Sequence, residues 1–129
     1  EQPTRIARPQ TVLLLDEDPL SRGIMARILR KSGHTVLEAE NPKLALDLAQ
    51  AGKARLDLFI CDLFLAGADG RRFADNLKRI HPRTKIVFTS GYPAVHLKHV
   101  GLLKDGETLI ARPFAASVVE PVIWSVLAQ

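Results

Sequence analysis

The most constraining feature of the sequence is a short apolar run, Leu58-Phe59-Ile60-Cys61, that stops abruptly at a carboxylate, Asp62. An uninterrupted apolar run of this length suits a strand covered on both faces, which is the habit of parallel sheets. The loop that follows, closed by Asp69-Gly70, leads into a helical pattern. An acid at the C-terminal end of a central strand lies where open α/β sheets place their chemistry. Asp62 is therefore read as a reacting group.

The rest of the chain repeats the same grammar. Glu1–Gln10 reads as a tail. Thr11–Leu15 is a second apolar strand, ended by Asp16-Glu17-Asp18, and Asp18-Pro19 supplies an N-cap followed by a first-turn proline. Leu20, Ile24, Ile28 and Leu29 recur at helical spacing until Gly33. His34–Glu38 is more polar and predicts an edge strand. Asn41-Pro42 opens a helix with Leu44, Leu48 and Ala49 inward, closed by Gly52. Phe73, Leu77 and Ile80 mark a third helix, ended by His81-Pro82.

Ile86–Phe88 predicts a fourth strand ending in Thr89-Ser90-Gly91, and Pro93–Val100 makes a poor helix. Thr108–Ala111 predicts the fifth strand, ending in Arg112-Pro113-Phe114. A last helix carries Val119, Val122, Ile123 and Val126. In it Ser117 and Glu120 are spaced as a capping box, with Pro121 in the first turn. Strands alternating with helices predict a parallel sheet with helices on both faces, and right-handed crossovers bring all strand C-termini to one rim.

Bulk properties bound the possibilities. The 129 residues suit one domain. No apolar run approaches the ~20 residues of a membrane span, and Glu1-Gln2-Pro3 is no signal peptide. The missing initiator Met suggests an expressed fragment or a trimmed terminus. One cysteine excludes an internal disulfide and agrees with a cytoplasmic setting. The net charge of +4 is spread over two helix faces without aromatic interleaving, which argues against direct nucleic-acid binding.

The rim collects Asp16 and Glu17 from the first strand, Asp62 from the third, Ser90 from the fourth and Arg112 from the fifth. Acids on strands ~4.8 Å apart crowd one another and repel unless a cation joins them. Hard oxygen ligands in small number suit Mg²⁺. A carboxylate can also act as a covalent nucleophile and form an acyl phosphate. Phosphoryl transfer needs positioning and charge neutralisation, which a metal, a cation and a hydroxyl provide. The inventory predicts aspartyl phosphorylation.

At this point the chain resembles a two-component response regulator receiver domain over Thr11–Leu127, and residues 11–129 are assigned to it. T-V-L-L-L-D-E-D-P resembles the first strand with its acidic pair, D-L-F-L-A-G-A-D-G the phosphoacceptor loop, I-V-F-T-S-G-Y the switch strand and L-I-A-R-P-F the lysine-proline motif. The resemblance implies a flavodoxin-like doubly wound sheet of order 2-1-3-4-5. It implies Asp62 as phosphoacceptor and Mg²⁺ held by Asp16, Glu17, Asp62 and the Phe64 carbonyl, with Ser90 and Arg112 on the phosphate. Expected partners are a sensor histidine kinase or phosphotransfer protein, and a homodimer or output domain on the face of helix 4, strand 5 and helix 5. Any turnover is limited to phosphorylation and dephosphorylation of Asp62 itself.

Four positions depart from that pattern: Glu17 replaces the usual Asp, Ala66 the usual Pro, Arg112 the usual Lys, and Leu109 a common aromatic. Arg and Lys are not interchangeable, since the planar guanidinium presents a fork of donors. A second reading is therefore a receiver-like interaction module that takes no phosphate. A haloacid-dehalogenase-type phosphatase with Asp16 as nucleophile is a third, but it lacks the late lysine and acidic pair. Cys61 reads as an inert core thiol, His96 and His99 as a pair without a third ligand, and Trp124 as a rim residue or a contact for partners.

Overall fold

The computed structural model describes residues 10–51, 55–66 and 68–129. The expected tail and the Gly52 helix stop lie outside them, except that Gln10 is buried and its carbonyl accepts the Thr35 amide. In chain order come β1 (Thr11–Leu15), α1 (Pro19–Lys31), β2 (Thr35–Ala39), α2 (Pro42–Ala51) and β3 (Leu58–Asp62). They are followed by α3 (Gly70–Ile80), β4 (Lys85–Ser90), α4 (Ala94–His99), β5 (Leu109–Ala111) and α5 (Ala116–Leu127). All five strands are parallel, in the order β2-β1-β3-β4-β5, so the expected 2-1-3-4-5 sheet is present and β2 is an edge. A two-residue antiparallel ribbon, Phe64–Leu65 with Ala68–Asp69, follows β3 and was not foreseen.

The sheet separates two cores. Val12, Leu14, Leu58, Ile60, Val87 and Ile110 face α1 and α5. Leu13, Leu15, Phe59, Cys61 and Phe88 face the side of α2, α3 and α4. Burial on both faces explains why β1 and β3 read as continuous apolar runs.

The helix faces are where the pattern misleads. In α1 the buried residues are Met25, Ala26 and Leu29, while Leu20 is 72% exposed. In α2 they are Ala45 and Ala49, and Leu44 lies outward; in α3 they are Gly70, Ala74 and Leu77, with Ile80 outward. Small alanines line the seams because a helix packed closely on a sheet leaves little room there, and the larger side chains move to the flanks.

Helix ends follow local chemistry. Asp18 caps α1 by accepting the Ser21 amide at 3.1 Å, with Pro19 at the first position. Past the end of α1, Gly33 takes φ +96°. The expected Ser117–Glu120 capping box is not formed. The helix α5 begins at Ala116 without a side-chain cap, and Glu120 instead accepts the Ser32 hydroxyl at 2.7 Å. Pro121 consequently sits inside α5 rather than in its first turn.

Candidate functional site

At the C-terminal rim, Asp16 and Asp62 follow the last apolar residues of neighbouring strands. Register pairs Leu15 with Cys61 and Asp62 with Thr89, so these side chains form one row across the sheet. Asp16 is 1% exposed and its Oδ1 accepts the Asp18 amide at 2.9 Å. Asp62 Oδ1 accepts the Phe64 amide at 3.1 Å. The other oxygens of both acids face one cation. Arg112 Nη2 lies 2.8 Å from Asp62 Oδ2 and 3.3 Å from Asp16 Oδ2. The Phe114 ring sits against the guanidinium, 5.6 Å from its centroid.

Both partners of the closer pair shift upward. Burial pushes the Asp62 carboxyl above the ordinary aspartate range, against the Phe64 amide and the Arg112 charge, and Asp16 pushes the same way. Burial also disfavours the Arg112 charge, but Asp62 and Asp16 outweigh it and hold the guanidinium protonated. A bare ion pair would lower the carboxyl; here desolvation of Asp62 decides its direction.

Glu17, expected beside these acids, is turned away. Its Oε1 accepts the backbone amide of Ala66 at 2.6 Å. Among the described residues no three carboxylate, histidine or cysteine side chains converge on one point. The rim joins Asp16, Asp62 and Arg112 and leaves Glu17 on the loop.

Ser90, at the end of β4, is fully buried; its Oγ accepts the Tyr92 amide at 2.9 Å and its carbonyl accepts the Arg112 amide at 2.8 Å. Strands β4 and β5 thus couple the expected hydroxyl and cation through the backbone. Above them the exposed Phe64 and Tyr92 rings meet edge-on at 5.8 Å, and Tyr92 also lies 5.8 Å from the His96 ring.

Cys61 is an inert core thiol, as expected: it is buried, its pKa is pushed far up by burial, and its Sγ donates to the Asp62 carbonyl at 3.3 Å. Trp124 is half-buried on α5.

Two residues to which the sequence assigns no role at the site also shape it. Gly70 was read as part of a closing turn, but Asp69 is the N-cap of α3, accepting the Arg71 amide at 3.0 Å, and Gly70 is the first helical residue. A Cβ on Gly70 would stand 2.0 Å from the Asp62 carbonyl oxygen, so only glycine lets α3 start against β3. The signal available was an Asp-Gly just before a helical stripe. The second is Thr89, beside Asp62 in the sheet, whose buried Oγ1 has no hydrogen-bond partner among the described residues. A polar residue inside the Val87–Ser90 run was its only mark.

Residues 12–123 match the model of the response regulator receiver domain. The chain belongs to this family. Receivers work in two-component systems, where an aspartate takes the phosphoryl group and histidine kinases are partners. The chain is 30% identical to the sensor kinase CckA of Brucella abortus over 92 residues, 71% of this chain and 10% of that protein. It is 29% identical to the nitrogen assimilation regulatory protein NtrX of Azorhizobium caulinodans over 107 residues, 81% of this chain and 23% of that protein. The receiver chain thus spans under a quarter of either relative.

A crystal structure of a Burkholderia pseudomallei response regulator with a phosphorylated aspartic acid, calcium ion and citrate superposes with a TM-score of 0.73. It is 25% identical, over 92% of this chain and 69% of that one. A divalent metal at the phosphorylation site is common in the family. In this chain the donor chemistry fits such an ion: two hard carboxylate oxygens, from Asp16 and Asp62, already stand within reach of one cationic nitrogen. No helix among the described residues is long and apolar enough to cross a membrane.

Proposed function

We propose that Asp62 accepts a phosphoryl group from a phosphohistidine of a sensor kinase or phosphotransfer protein. The observation that carries the reading is the pairing of two buried carboxylates: Asp62 ends a central strand beside the more deeply buried Asp16, which follows the neighbouring strand. The Asp62 carboxylate attacks phosphorus, the bond to the histidine nitrogen breaks, and an acyl phosphate remains. Mg²⁺ is the expected ion, with Asp16, Glu17, Asp62 and the Phe64 carbonyl as ligands, and it would neutralise charge on the transferring group.

Arg112 and Ser90 are assigned to the phosphate. To reach it, the Ser90 hydroxyl exchanges its bond from the Tyr92 amide, which releases the segment whose Tyr92 ring packs against Phe64 and His96. The result is a population shift worth the contacts that differ between the two states. The receiving surface is the α4–β5–α5 face, where Val95 and Val118 are exposed, and a second copy or an output domain would dock there in the cytoplasm.

The rival reading is an interaction module that takes no phosphate, favoured by a guanidinium that already occupies Asp62 Oδ2. Beryllofluoride with Mg²⁺ separates the two. A Mg²⁺-dependent change in Trp124 fluorescence that is lost in Asp62→Asn supports phosphorylation; no change favours the module.

A further inference from the structure

Glu17 and Ala66 are 49 residues apart in sequence, and both are positions where the chain departs from the pattern it otherwise follows. The structure joins them: Glu17 Oε1 accepts the Ala66 amide at 2.6 Å, tying the β1–α1 loop to the loop that follows Asp62. The bond depends on both residues. Proline at 66 would have no N–H to donate, and aspartate at 17 would be one methylene shorter. The bond also removes Glu17 from the row formed by Asp16, Asp62 and Arg112.

We propose that Glu17 and Ala66 form a latch on the phosphoacceptor loop that competes with a divalent cation for the Glu17 carboxylate. Glu17 thereby acts as a positioning residue with two states. In one it holds the loop through the Ala66 amide; in the other it turns to the cation beside Asp62 and lets the loop go. Each ligand of the carboxylate can shift the balance only by its differential affinity for the two states. Loop release and cation binding are then reciprocally linked, so whatever loosens the loop tightens the cation.

This rests on the reading of the rim as a cation-assisted phosphoacceptor site, and the test keeps the two apart. Mg²⁺ is titrated into the 129-residue chain while the Ala66 amide is followed by nuclear magnetic resonance and hydrogen exchange. The latch predicts that Mg²⁺ speeds exchange at Ala66. It also predicts that Ala66→Pro binds Mg²⁺ about two- to fivefold more tightly, the scale of an exposed charge-assisted contact.

In a Glu17→Gln background the effect of Ala66→Pro on Mg²⁺ affinity vanishes, since a true pairwise coupling disappears when one partner is gone. Should Ala66→Pro fail to fold, the parent amide decides alone. Mg²⁺ binding that requires Asp62 but leaves Ala66 exchange unchanged overturns the latch and spares the site. Absence of Asp62-dependent binding overturns both.

Discussion

Arg112 stands closer to Asp62 than to Asp16, at 2.8 Å against 3.3 Å, so one side chain neutralises two acids that would otherwise repel across adjacent strands. Removing it leaves both carboxylates with less compensation in a setting where Asp16 is almost fully buried. Arg112→Ala should lower unfolding free energy by about 2–3 kcal/mol at neutral pH, below the full cost of breaking a buried pair because Arg112 is partly solvated. Millimolar Mg²⁺ should raise the melting temperature of this variant more than that of the parent. Equal Mg²⁺ responses in thermal melts would remove the claim that the two acids form one cation site.

A second ion pair sets a pH dependence. Arg71, at the start of α3, grips Glu107 ahead of β5 with its two terminal guanidinium nitrogens, Nη1 and Nη2, and Nη2 also donates to the Leu102 carbonyl at 2.9 Å. The Arg71 hydrogen bond holds the Glu107 carboxyl below its ordinary range, helped by the Lys104 amide and opposed by burial. A carboxyl depressed on folding contributes stability above its unfolded pKa and loses it as pH falls through the folded value. Screened by solvent, the pair is worth less than a buried one, so Glu107→Gln should cost about 0.5–1 kcal/mol at neutral pH, and the difference from the parent should close on acidification below the depressed Glu107 value. Denaturant unfolding across pH checks the sign.

The sheet was legible because burial on both faces leaves unbroken apolar strands, and the rim was legible because each strand ended in a polar residue. Leu20 and Leu44 misled because spacing alone cannot distinguish an apolar side chain on a seam from one on its flank; the seams are filled by Ala26, Ala45 and Ala49. The capping box failed because a spacing rule does not exclude a better partner, and Glu120 found Ser32 just past the end of α1. Glu17 and Ala66 were each visible as departures. Their connection runs through a backbone amide, which one-letter patterns do not display.

Thr89 offers a cleaner perturbation beside the site. Its hydroxyl is buried next to Asp62 and has no partner among the described residues, which costs desolvation without compensation. Thr89→Val keeps the shape and removes the polar atom. The variant should gain about 1 kcal/mol, read as a rise of a few degrees in melting temperature. A fall would mean that the hydroxyl is satisfied by water.

The Phe64–Tyr92 pair bears on the lifetime of the proposed acyl phosphate. Its rings meet edge-on at 5.8 Å, two residues beyond Asp62 and Ser90, where they would hinder a hydrolysing water that must be admitted and oriented. The parent should therefore hold phosphate for long, and Phe64→Asn should release it about tenfold faster, a change of about 1.4 kcal/mol in barrier. The rate of phosphate loss after labelling with acetyl phosphate measures this. Equal rates would show that the aromatic pair does not gate water.

Gly70 makes the sharpest packing prediction, because the atoms in the way are backbone. A Cβ there would meet the Asp62 carbonyl oxygen at 2.0 Å and the Leu63 carbonyl oxygen at 2.8 Å, and neither can rotate aside. Gly70→Ala must push the start of α3 off β3, breaking the Gly70 amide's 3.2 Å bond to the Leu63 carbonyl. The cost should be about 2–3 kcal/mol, at the upper end for overpacking. The displaced Asp62 peptide should also weaken beryllofluoride binding. Gly23→Ala is the control: it lies on the exposed side of α1 with nothing within 4 Å of a new Cβ, so better helix propensity should add up to about 1 kcal/mol. Opposite signs for the two glycines in one denaturation series are the expected result, and a tolerated alanine at 70 would show that α3 does not abut β3.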